Sequence, residues 1–117
     1  MLPKYWLKFL ESNQLIGMDI EISEGNDLST LGADLRIMNE EQSQSEAADC
    51  YPGIVAIKKG YIPVAMCLGG SGDYYYLNTH EGAEGSLYRI YHDAVTGEEL
   101  EEDGVEKVLQ RFTSLLE

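Results

Sequence analysis

Basic side chains are scarce in this chain: Lys and Arg number 8 against 21 Asp and Glu, a formal net charge of −13 over 117 residues. A phosphate backbone is captured by Lys and Arg, which release its counterions, so this balance argues against nucleic acid as a partner. Cysteine is nearly absent. Cys50 and Cys67 are too few for a disulfide framework and lack the CxxC spacing or His-rich surroundings of a zinc site. Cys67 lies in an apolar segment, where a free thiol ordinarily packs as a small hydrophobe. Long apolar runs are missing as well: the longest, Tyr61 to Leu68, is broken by Pro63 and falls far short of the ~20 residues of a membrane span. The opening Met1-Leu2-Pro3-Lys4-Tyr5-Trp6 has no basic stretch, apolar run or small-residue cleavage site of a secretory signal. The expected compartment is the cytoplasm, with no membrane contact.

Apolar residues make up 44% and charged residues 25%, a globular composition for which one core, and one domain over residues 1–117, is the expectation. Leu2, Tyr5, Trp6, Phe9 and Leu10 recur at helical spacing, with Pro3 suited to a first turn, and predict an amphipathic helix ending near Asn13. Asp19 to Ser23 alternates as a half-wet strand, and Glu24-Gly25-Asn26-Asp27 is a turn signal. Asn39 with Gln42 forms a capping pair for a polar helix to about Asp49. From Ile54 the pattern predicts an antiparallel meander: Ile54 to Lys58, Ile62 to Leu68 in a central position, Tyr74 to Asn78, and Leu87 to His92. Asp103 is placed to cap a final helix whose stripe is Val105, Val108, Leu109, Phe112, Leu115 and Leu116. The fold class is therefore α+β: an antiparallel, possibly mixed, sheet meander with N- and C-terminal helices packed against it.

Chemistry-bearing motifs are sparse. Gly69-Gly70-Ser71-Gly72-Asp73 differs from a phosphate-cradling loop in having Asp where a cation helps and a strand where a helix is needed, so it reads as a hairpin turn. Asp73, His80, His92 and Asp93 are the candidates for acid–base or metal work, but no HExxH or paired-histidine spacing is present. Neither cofactor nor metal is expected. No nucleophile sits in an elbow motif. Tyr74-Tyr75-Tyr76, with Tyr88 and Tyr91, is the conspicuous enrichment. Alternation sends Tyr74 and Tyr76 to one face and Tyr75 to the other. Tyrosines beside carboxylates make good recognition surfaces, and acidic residues gather at Glu81, Glu84, Glu98, Glu99, Glu101 and Glu102.

Taken in order, several segments resemble the SUKH superfamily, which contains fungal cell-wall-assembly regulators and many bacterial immunity proteins. Leu2-Pro3, Trp6, Phe9-Leu10 and Asn13 are similar to its opening pattern. Gly70 to Tyr76 resembles its glycine turn, acidic residue and aromatic strand, and Tyr88-Arg89-Ile90-Tyr91-His92-Asp93 its late strand. The final helix completes the match. Gln14 departs from the glycine expected there, and the chain starts where members often have placed one helix already, so a homodimer is an alternative to a monomer. The resemblance implies a binding domain without catalysis, mostly one that neutralises a toxin such as a nuclease.

The leading expectation is thus an immunity-type protein that binds a basic toxin through Asp73, Tyr75, Glu81, Glu84, Glu98, Glu99, Glu101 and Glu102. An acidic surface of this size steers a basic partner toward it. The alternatives are a small metal-dependent hydrolase using Asp73, His80, His92 or Asp93, which requires those side chains to converge, and a regulatory scaffold.

Overall fold

Residues 2–116 are described by a computed structural model. The chain opens with α1 (Lys4–Asn13), entered from an extended Pro3 whose carbonyl accepts from the N–H groups of Trp6 and Leu7 at 3.1 Å each. Its buried stripe is Trp6 and Leu10. The helix stops at Gln14, which takes φ 53° and ψ 49°. Strands β1 (Asp19–Ile22) and β2 (Ala33–Ile37) follow, β2 alternating strictly between buried and exposed positions. Helix α2 (Glu40–Asp49) begins with the expected capping box: Asn39 Oδ1 accepts from Gln42 N at 2.8 Å, and Gln42 Oε1 from Asn39 N at 2.9 Å.

The segment predicted as a strand from Ile54 to Lys58 is instead α3 (Gly53–Ala56) and a 3-10 turn over Ile57–Lys59. A short apolar run fits a buried helix as well as a strand, and packing decides here. Gly53 lies so close to α2 that a Cβ on it would stand 2.4 Å from the Glu46 carbonyl oxygen, and Ala56 is fully buried against the sheet. Strands β3 (Tyr61–Cys67), β4 (Tyr75–Asn78) and β5 (Leu87–Ile90) form the expected meander. The β3–β4 register shifts between Pro63 and Ala65, where proline withholds a ladder donor. A small hairpin follows, β6 (Val95–Thr96) with β7 (Glu99–Leu100).

The predicted C-terminal helix is also corrected. Val105–Leu109 is an edge strand, β8, antiparallel to β5, and only Phe112–Leu116 winds, as a 3-10 turn. Asp103 lies in the 3-10 turn Glu102–Gly104 ahead of the strand and caps no helix. Pairing with the open edge of β5 satisfies backbone groups that a helix would have left unpaired on that edge.

The main sheet runs β1-β2-β3-β4-β5-β8, antiparallel at every pairing. It curls, and the loop after β1 crosses to the far edge, where Leu28 N donates to Val108 O at 2.9 Å. The protein is thus an α+β domain with an antiparallel sheet. One face packs on α1 and the final turn. Phe112 is the hub there, with ring centroids 5.4 Å from Trp6, 5.2 Å from Phe9 and 5.9 Å from Tyr5. The other face buries Tyr76 and Ile90 against Ala56 and Ala94. Alternation along β4 therefore works as expected, with Tyr75 facing the α1 side and Tyr74 and Tyr76 the opposite one. Among the described residues, no helix is long and apolar enough to cross a membrane.

Candidate functional site

Of the acidic residues singled out in the sequence, Glu99 and Glu102 line one cleft and Asp73 another, at opposite ends of β3 and β4. The first lies on the α3 side of the sheet, between the Ile57–Lys59 turn and the β6–β7 hairpin. It has a volume of about 630 Å³ and is lined by Lys59, Tyr61, Asn78, Tyr88, Glu99, Leu100, Glu102 and Val105. Tyr61 on β3 and Tyr88 on β5 meet edge to face, with centroids 5.4 Å apart at 84°. The Tyr88 hydroxyl donates to Glu81, whose other oxygen accepts from Ser86 N at 2.9 Å. That fixed carboxylate holds the Tyr88 ring upright. Burial, and then the hydrogen bond to Glu81 and its charge, raise the Tyr88 hydroxyl well above its ordinary pKa, so it remains a neutral donor. Of the expected contact residues, Glu99 and Glu102 thus line this cleft with the two tyrosines, and Glu81 bonds the Tyr88 hydroxyl. Glu98 and Glu101 are exposed on the same hairpin region, Glu101 accepting from the Thr96 hydroxyl, and Glu84 is exposed beyond Glu81.

Asp73 and Tyr75 belong to the second cleft, of about 750 Å³, at the other end of the sheet. Neither is a freely exposed contact, as the sequence reading had them. Tyr75 is 2% and Asp73 5% exposed, because alternation turns Tyr75 toward the core and the Gly69–Gly72 turn folds Asp73 inward. Gly70 and Gly72 take φ 85° and 79°, as the hairpin reading required. Asp73 Oδ1 accepts from His92 N at 2.8 Å and contacts His92 Nδ1 at 2.7 Å. This bond, with the Asp73 charge, raises the His92 pKa above its ordinary value.

Of the four candidates for a metal or acid–base site, Asp73 and His92 meet, but His80 and Asp93 do not join them. Asp73 precedes β4 and His80 follows it, a separation on the order of 15 Å along an extended strand. His80 lies against Gly60 at the start of β3, where a Cβ would stand 2.9 Å from its ring. Asp93 is exposed beyond His92. Among the described residues no group of His, Cys, Asp and Glu is arranged to hold a metal ion.

The sequence reading missed Arg89 and Asp27. The Arg89 side chain is 5% exposed and that of Asp27 fully buried, yet 62 residues separate them in the chain. Arg89 Nη2 donates to Asp27 Oδ2 at 3.1 Å and to Gly32 O at 2.8 Å, and Nη1 donates to Ser29 Oγ at 2.8 Å. Asp27 Oδ1 in turn accepts from Ser29 N and Oγ, at 2.7 Å each. The ion pair pins the β1–β2 loop over the sheet, and Arg89 lines the second cleft. A signal was available: Arg89 alternates onto the face of Leu87, so β5 carries a cation on its core side, and such a cation needs a partner. Cys67 also differs from simple core packing. It is half buried at this cleft, where burial pushes its thiol pKa up and hydrogen bonds from Ser71 and the backbone of Gly69, Ser71 and Gly72 bring it below the ordinary value.

Compared with known proteins, the chain matches no family model, no curated protein and no solved structure.

Proposed function

We propose that this chain is a non-catalytic protein-binding domain, of the immunity type, that neutralises a basic nuclease-like toxin by covering its phosphate-binding surface. The observation that carries the reading is the cleft that Glu99 and Glu102 line together with the Tyr61–Tyr88 pair, whose Tyr88 hydroxyl is held by Glu81. Tyrosines held rigid by packing lose little entropy on binding, and carboxylates around them select a cationic partner. The net charge of −13 extends that selection over long range and accelerates encounter at low salt. The α+β fold is of the kind the SUKH resemblance implies, although the C-terminal segment is a strand and a turn rather than a helix.

The test is retention of partners from the native lysate on the tagged chain, at low and at high salt, with mass spectrometry of what is held. One basic protein, released by salt and inhibited as a nuclease by the added chain, is the expected result. No partner, or many weak ones, contradicts it and favours the scaffold alternative.

A further inference from the structure

The two edges of the curled sheet are finished differently. Over β8 lies the loop that follows β1, with Leu28 N donating to Val108 O at 2.9 Å, and the exposed Lys107 adds a charge of the kind that blunts an edge. β1 carries no proline, no lysine and no bulge. Ile37 N donates to Met18 O at 3.0 Å, which sets the phase of the β1–β2 ladder. Ile20 and Ile22 therefore turn their backbone groups toward β2, and Asp19 and Glu21 turn theirs outward. Among the described residues, none hydrogen-bonds to these outward N–H and C=O groups. The edge thus offers a partner two donors and two acceptors in ladder geometry.

The side chains along the edge select its occupant. On one side runs a groove of about 260 Å³ between β1 and the end of β8 with the final turn, lined by Ile20, Ile22, Leu28, Leu109 and Leu115. Leu28 is 55% exposed there, and Met18, just ahead of β1, is 51% exposed. Alternation sends Asp19 and Glu21 to the other side. Asp19 is bonded by Arg36 Nε at 2.6 Å, but Glu21 stands directly across from Asp34 on β2 with no cation between them, and like charges so placed repel. A strand added here is therefore apolar toward the groove and basic toward Glu21. A second copy of β1 does not fit that description, because each antiparallel register that pairs the outward residues of two copies sets carboxylate opposite carboxylate.

We propose that β1 is a docking edge for an extended segment of a protein partner, which adds as a seventh strand with apolar side chains in the groove and a lysine or arginine opposite Glu21. Main-chain bonds of this kind supply affinity and the alternating side chains supply selectivity. The inference rests on the protein-binding reading only for the partner's being a protein, and its test needs no cellular partner, so it stands or falls apart from the capture experiment. The full chain, labelled with nitrogen-15, is titrated with the peptide acetyl-Lys-Val-Lys-Val-Lys-amide. Saturable shifts are expected at Asp19, Ile20, Glu21, Ile22 and Leu115, with a Kd on the order of 1 mM. The same peptide methylated on its lysine backbone nitrogens keeps every charge but loses the ladder donors, and binds about tenfold more weakly. Glu21→Pro, which removes one outward donor of the edge, weakens the parent peptide to a similar degree. Should that variant fail to fold, Glu21→Lys decides: it weakens the lysine peptide several-fold and strengthens acetyl-Glu-Val-Glu-Val-Glu-amide. Equal affinity of the methylated and parent peptides, absence of saturation, or shifts centred on the Glu98–Glu102 hairpin would overturn the proposal. So would concentration-dependent shifts at Asp19 to Ile22 without peptide, which would assign the edge to a second copy of the chain.

Discussion

Arg89 and Asp27 show at the scale of single residues how a charge can be taken into this small core. Each is nearly inaccessible, and together they engage Ser29 and the Gly32 carbonyl. Removing one member strands the other, so Asp27→Ala is expected to lower the unfolding free energy by about 3–5 kcal/mol, whereas Asp27→Leu combined with Arg89→Met recovers most of the loss. Urea titration of the two variants reads this directly, and a single change within about 0.5 kcal/mol of the parent would count against a structural pair. His92 gives a pH signature. Its pKa in the folded protein lies above the ordinary 6.5 through its bond to Asp73. Its contribution to stability is therefore complete below that ordinary value and is lost as pH rises through the raised one. Thermal unfolding of His92→Gln should differ from the parent in acid and converge with it in base. A difference that grows on the alkaline side would have the wrong sign.

Elements differ in how readily the sequence disclosed them. Helix α1 and the capping box of α2 were legible because each carries a local signal, an apolar stripe in one and the Asn39–Gln42 reciprocity in the other. β3 was legible as an apolar run in a central position, and β4 and β5 as strands set off by the glycine turn and loop around them. The misread elements, α3 and β8, are short apolar segments whose state is set by distant partners: the Glu46 carbonyl above Gly53 and the open edge of β5. Val105, Val108 and Leu109 fit a helical stripe and bury equally well from an edge strand. The acidic residues of the candidate site were visible in the sequence, but which of them line a cleft was not, because Glu99 and Glu102 on the one hand and Asp73 on the other come to lie at opposite ends of β3 and β4. Gln14 stands where the pattern that the opening segment resembles has glycine. Its left-handed backbone at the end of α1 supplies the physical reason for that glycine, and Gln14→Gly should stabilise the domain by about 0.5–1 kcal/mol once the flexibility of the unfolded chain is set against the relieved strain. Thermal denaturation checks the sign, and a loss of stability would mean the glutamine side chain contributes more than its backbone costs.

On the scale of the whole molecule, a net charge of −13 is borne by a curled sheet with a cleft at each end. Charges that remain unpaired within the domain repel one another, and a basic surface docked on it would relieve that repulsion. The hairpin carboxylates Glu98, Glu99, Glu101 and Glu102 are exposed, so reversing them should leave folding intact while changing encounter. The most direct measurement of the account is the association rate with the captured basic partner across a series of salt concentrations. It is made for the parent chain and for the variant with lysine at all four hairpin positions. Fast association that falls steeply with salt is expected for the parent, and slow association with little salt dependence for the variant. Identical rates and identical salt slopes for the two proteins would contradict it.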